Sequence, residues 1–151
     1  MPMHGNFTNG VVTVQVNETA NQISYRSDTV GYHGSLTFEL IDNALEIHTL
    51  EAQPEGAGLG ALLVWICANT AIWNRKTEIR ATDTARPAIP FYATMGFSPD
   101  PTEFANAMAV TVGNSAARPA HEYVATWVAQ TGGCLTSAWA SCERRWKQAQ
   151  A

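Results

Sequence analysis

The chain has 151 residues, of which 46% are hydrophobic and 15% charged, and its formal net charge is −4. That length suits one domain with a real core, and the composition excludes a disordered tail or a coiled coil. The lack of a basic stripe excludes nucleic acid as the main partner, while a mildly acidic surface suits cationic substrates such as amines. Cys67, Cys134 and Cys142 cannot all pair and form no C-x-x-C, so the expectation is no disulfide framework, no metal site and a reducing, cytoplasmic setting. Met1 to Gly10 do not read as a signal peptide. Between Glu55 and Arg75 there is no charge, close to the ~20 residues that cross a bilayer. Gly58, Gly60 and Asn69 within it, and short strands around it, make a buried helix the expectation, with no membrane partner.

Residues 11–16, 22–27, 35–41 and 44–50 are rich in β-branched residues or alternate in polarity, with turn residues between them. They read as four strands of an antiparallel meander, Asp42 and Asn43 forming a tight turn. The pattern then changes. Positions 59, 62, 63, 66, 67, 70 and 71 mark one face of a helix that ends at Arg75 and Lys76. Residues 77–82 read as a strand. Thr84 reads as the cap of a short helix, with Pro87 in its first turn, ending at Gly96. Residues 107–112, AMAVTV, read as a further strand. Apolar stripes at 120, 123, 124, 127 and 128 and at 135, 138, 139, 142 and 146, separated by Gly132 and Gly133, read as a C-terminal helical hairpin. The strands flanking the long helix should be parallel and joined by a right-handed crossover. The fold class is therefore α+β, with a mixed, mostly antiparallel sheet and a central parallel strand pair.

Two motifs carry chemistry. EGAGLG, residues 55–60, lies between a strand and a helix, where glycines let backbone approach a ligand and the helix start offers unpaired N–H groups to an anion. By itself it is equally a plain strand-to-helix loop, and it is neither a Walker nor a dinucleotide motif. PFYATMGF, residues 90–97, supplies core residues in Phe91, Met95 and Phe97, and a tyrosine, Tyr92, able to present its hydroxyl to a cleft. Glu46 and His48, two apart on one strand, share a face. Each is also readable as an ordinary surface or pocket residue. Glu51, at the loop edge, is a third candidate.

Together, the order strand, G-x-G turn, long helix, strand, then short helix ending in F-Y-x-x-x-G-F resembles the GNAT superfamily of acyl-CoA-dependent N-acyltransferases, over roughly residues 35–112. That family's turn reads Arg/Gln-x-x-Gly-x-Gly/Ala. Gly58 and Gly60 match it, Glu55 departs from it, and Ala85 stands where an asparagine is common. The resemblance implies transfer of an acetyl or other acyl group from acyl-CoA to an amine, a small molecule or a protein. It places the pantetheine arm along the strand ending at Thr49, Leu50 and Glu51. It places the pyrophosphate at Glu55, Gly56, Ala57, Gly58, Leu59, Gly60 and Ala61, with Ala85 and Tyr92 beside the cofactor. It makes Tyr92 the general acid and Glu46 the general base, with His48, on the same strand face, the other candidate base.

The family's usual one or two substrate-side helices have no room here, because Val11 to Leu50 reads as a meander. The expected organisation is a core over residues 1–115 and the hairpin over 116–151, packed on the core or paired with a second copy in a homodimer. No cysteine is placed as a nucleophile, since Cys67 lies mid-helix in the apolar stripe, so transfer should be direct. The alternative is a non-catalytic module of the same fold that binds CoA or a partner.

Overall fold

The computed structural model of the chain describes residues 3–112 and 118–148. An antiparallel meander opens it: β1 (His4–Thr8), β2 (Thr13–Glu18), β3 (Gln22–Arg26), β4 (His33–Ile41) and β5 (Ala44–Gln53). The long helix α1 (Leu59–Trp73) leads to β6 (Glu78–Ala81), which pairs parallel with β5. A 3₁₀ turn (Arg86–Ala88) runs into α2 (Ile89–Thr94), followed by β7 (Ser98–Pro99) and α3 (Pro101–Thr111). A second 3₁₀ turn (Ala120–Tyr123), β8 (Trp127–Gln130) and α4 (Thr131–Gln148) complete it. The eight strands form one sheet in the order β1-β2-β3-β4-β5-β6-β8-β7. The mixed sheet with one parallel pair is as the sequence predicts, and no helix interrupts the meander from β1 to β5.

Strand alternation gives the sheet two unlike faces. Val14, Val16, Ile23, Leu36, Phe38, Leu45, Ile47 and Ile79 are buried on the core side. All seven positions of the predicted α1 stripe are buried too, and so are Ala61, Val64 and Ala68. A helix apolar on so many sides must be covered twice: the sheet covers α1 from below and α4 packs along it. Glu18, also on this side, accepts hydrogen bonds from Thr70 Oγ1 (2.8 Å) and from the Met3 backbone N–H (3.1 Å), which satisfies its buried carboxylate. The other face carries Gln15, Asn17, Ser24, Arg26, Thr37, Glu39 and Glu46 and meets solvent. Among the described residues no helix is long and apolar enough to cross a membrane.

Four local expectations are corrected. Residues 107–112 are not a strand but the end of α3: Asp100 caps that helix by accepting from Glu103 N (3.1 Å), with Pro101 at its first position. The stretch 119–130 is not the first helix of a hairpin. It is a 3₁₀ turn and then β8, which inserts between β6 and β7. Gly132 and Gly133 do not break the chain but sit in the first turn of α4, a single helix that follows β8 directly. Thr84 does not cap a helix; its hydroxyl donates to the carbonyl of Ala81 (3.1 Å), and Ala85 precedes the 3₁₀ turn. The strand β1 is an addition, folded back onto β2 by Asn9, whose Oδ1 accepts from the N–H groups of Val11 (3.0 Å) and Val12 (2.8 Å).

Candidate functional site

The site begins where two parallel strands part. β5 and β6 pair only from Ala44 opposite Glu78 to Ile47 opposite Ala81, with Thr82 N reaching Ile47 O (3.3 Å) just beyond. β5 continues to Gln53, still paired on its other edge with β4. Along 48–53 it therefore has a strand on one side only. The register slips at the same point: Phe38 faces Ile47 but Thr37 faces Thr49, so His48 is an extra residue, a bulge. Into the gap opens a cavity of about 520 Å³. Leu50, Glu51, Ala52 and Gln53 form one wall; Pro54, Glu55, Gly56, Gly58, Gly60 and Ala61 form its end; Pro87, Ala88 and Phe91 form the other wall; Ser141 and Arg145 of α4 reach in from outside. Such a volume lies within the usual range for a small-molecule site.

The glycine turn has a backbone only glycine adopts with ease. Gly56 has φ 78° and Gly58, the residue before α1, has φ 87°. No side chain caps α1. The first intrahelical bond comes from Leu62 N to Gly58 O (3.1 Å), which leaves the N–H groups of Leu59, Gly60 and Ala61 without helical partners at the cavity. The helix dipole adds positive potential there. At Gly60 a Cβ would meet Phe91 ring carbons at 3.2 and 3.3 Å, so the bare backbone lets the Phe91 wall come close.

Of the residues singled out in the sequence, Leu50, Glu51, Glu55, Gly56, Gly58, Gly60 and Ala61 are brought together in this one cavity. Thr49 points its hydroxyl at Thr37 on the solvent face. Ala57 packs on the core, Leu59 is buried within it, and Ala85 lies off the cavity wall. Tyr92 is buried, its ring edge-on to Phe91 (5.3 Å) and Phe97 (5.2 Å), and Phe91 rather than Tyr92 lines the cavity. Desolvation, with a smaller effect from the Cys67 thiol beside it, pushes the Tyr92 phenol up to about 12.

Glu46 and His48 flank the last paired positions on the solvent face. His48 Nε2 lies 3.5 Å from Glu46 Oε1 and 3.8 Å from Glu39 Oε2, beside a shallow cleft shared with Asn21, Gln22 and Thr37. On β6, opposite Glu46, the Arg80 guanidinium donates to Glu78 (2.6 Å) and also feels Glu46. The lining residues that the sequence reading did not assign to the site are Ala52, Gln53, Pro54, Pro87, Ala88, Phe91 and, on α4, Ser141 and Arg145. Phe91 read as core, and nothing in the local pattern of 134–148 says which element its polar side faces.

The three cysteines are unpaired and buried. Burial pushes Cys134 up to about 12 and Cys142 up to about 11, and Cys67 is also raised by burial, with Cys134 and Glu18 adding to it. Among the described residues no cluster of His, Cys, Asp and Glu is placed to hold a metal.

Three solved structures are similar to this chain. N-acetylglutamate synthase from Neisseria gonorrhoeae, complexed with coenzyme A and N-acetyl-glutamate, superposes with a TM-score of 0.52 at 16% identity, over 74% of this chain. The match covers 26% of the synthase, so this chain spans about a quarter of its length. Tetrahymena GCN5 gives a TM-score of 0.49 at 12% identity, over 75% of this chain and 70% of that one. Nourseothricin acetyltransferase gives 0.48 at 15% identity, over 86% and 84%. No protein-family model and no curated protein matches the sequence. The likeness is one of fold: over the matched span the chain shares the fold of the N-acetylglutamate synthase.

Proposed function

We propose that this protein is an N-acyltransferase that moves an acetyl or other acyl group from acyl-CoA to an amine by direct transfer, in a reducing compartment such as the cytoplasm. The observation that carries the reading is the parting of β5 from β6, which joins an open strand edge to an uncapped helix start in one cavity. The two ends fit the two ends of such a donor. Open backbone along 48–53 suits the amide-bearing pantetheine arm. The N–H groups of Leu59, Gly60 and Ala61 suit its pyrophosphate. The donor supplies an activated thioester carbonyl; the amine nitrogen bonds to that carbon as the carbon–sulfur bond breaks.

The protein's part is to place the two partners and move protons. Glu46 and His48, beside the strand gap, are the groups we assign to accept the ammonium proton. Tyr92 is the group we assign to donate to the departing thiolate. With its phenol at about 12 it stays protonated throughout the neutral range. The buried cysteines, all raised in pKa, are poorly suited to an acyl-cysteine intermediate, which supports direct transfer. The test is release of free CoA from acetyl-CoA against a panel of small amines and peptides. Turnover with at least one acceptor supports the reading.

One observation favours a second reading, a non-catalytic CoA-binding module: Tyr92 is buried outside the cavity lining. Donor binding with no turnover on any acceptor would select it.

A further inference from the structure

We propose that Arg145, on the C-terminal helix α4, pairs with the phosphates of the acyl-CoA donor, so that α4 is part of the donor site. This rests on the donor binding proposed above. Coenzyme A carries several phosphate charges, yet the cavity that would receive them holds two carboxylates, Glu51 and Glu55, and the helix start alone offers only partial positive charge. Arg145 is the one cation among the described lining residues.

Its position is set by packing. A Cβ built on Gly58 would meet Trp146 N at 3.0 Å, Arg145 Cβ at 3.1 Å and Cys142 O at 3.1 Å, so the α4 backbone rests directly on the glycine turn. α4 is held there by Cys134, Ala138, Cys142 and Trp146, all buried, and by Asn9 Nδ2, which donates to Trp146 O (3.2 Å). The stem of Arg145 is thus fixed beside the pyrophosphate end, while its guanidinium makes no ion pair among the described residues, neither with Glu51 nor with Glu55. A planar guanidinium with paired donors matches phosphate oxygens. Arg144, next in the chain, is exposed and does not line the cavity.

The test is calorimetric titration of the full chain with acetyl-CoA at several salt concentrations, for the wild type, Arg145→Gln, Arg145→Lys and Arg144→Gln. The expected result is a loss of about ten- to a hundredfold in affinity for Arg145→Gln, the scale of a charge-assisted hydrogen bond. Its residual binding should depend less on salt. Arg145→Lys should keep the salt dependence and recover part of the affinity, and Arg144→Gln should match the wild type. Equal affinity in Arg145→Gln and the wild type overturns the inference. So does a loss with unchanged salt dependence, which would mark a packing role. Failure of the wild type to bind acetyl-CoA at all overturns the donor reading itself, and the inference with it.

Discussion

Tyr92 is where packing and chemistry make different demands on one side chain. Its ring is wedged against Phe91 and Phe97, and among the described residues its hydroxyl makes no hydrogen bond. Tyr92→Phe therefore removes no partner and should leave the midpoint of urea unfolding near neutral pH almost unchanged. As general acid, its loss should cut turnover by roughly 10²-fold or more with little change in acetyl-CoA affinity. Wild-type turnover in the variant would make it a packing residue. The same burial sets an alkaline limit on stability. Tyr25 and Tyr92 have folded values of about 12 against an ordinary 10.0, and Cys134 and Cys142 about 12 and 11 against 9.0. A value raised on folding means that the unfolded chain ionises first. The contribution is complete below pH 9, and is lost as pH rises from 9 through 12. Urea unfolding from pH 8 to 11.5 should show that fall. Tyr92→Phe should shrink its part above pH 10 by up to about 2 kcal/mol. An unchanged fall in the variant would mean that Tyr92 titrates normally.

At the scale of elements, the glycine turn and α1 form the unit that makes the cavity. Gly58 is a poor place to probe it, because a side chain there meets both a left-handed backbone and α4. Gly60 is better: its neighbours are the ring edge of Phe91 and the Ala52 methyl. Gly60→Asp puts a carboxylate in the first turn of α1, where the dipole favours it by roughly 0.3–1 kcal/mol, but directly against an incoming pyrophosphate. The variant should still fold and melt cooperatively, with the Phe91 ring shifted slightly, and lose most acetyl-CoA affinity by calorimetry. Full affinity in a folded variant would move the pyrophosphate elsewhere.

The same scale shows what was legible in the sequence. The α1 stripe, the meander and the G-x-G turn were readable because each is a local period or a local backbone demand. Asp100, Pro101 and Glu103 also carried a helix-start signal, but the alternation of AMAVTV competes with it. In 119–130 the spacing fits a helix face equally well, and only insertion between β6 and β7 makes Trp127 and Ala129 the buried side of a strand. β1, with one large apolar residue in HGNFT, has almost no signal of its own. Arg145 was illegible for a similar reason: its role depends on which surface α4 meets, a long-range fact.

In the whole molecule, one face of the sheet bears the helices and the other is polar. The sequence reading offered the C-terminal segment two places, on the core or against a second copy; α4 packs on the core, along α1. Trp139 extends the contact, its ring tilted against that of Trp65 with centroids 4.8 Å apart. Truncation before Thr131 would uncover the apolar side of α1. The shortened protein should aggregate or fail to give a cooperative melting transition. A monomeric truncate with a sharp transition would show that α4 is an accessory to the core.

The central claim is that the gap between β5 and β6 receives acyl-CoA, and the most direct measurement is thermal unfolding of the full chain with acetyl-CoA added. Ligand at a hundred times its dissociation constant adds about 2.7 kcal/mol, roughly 5–10 °C for a domain of this size. The account predicts that shift for the wild type and its near absence in Gly60→Asp. Identical melting of the wild type with and without millimolar acetyl-CoA would contradict it.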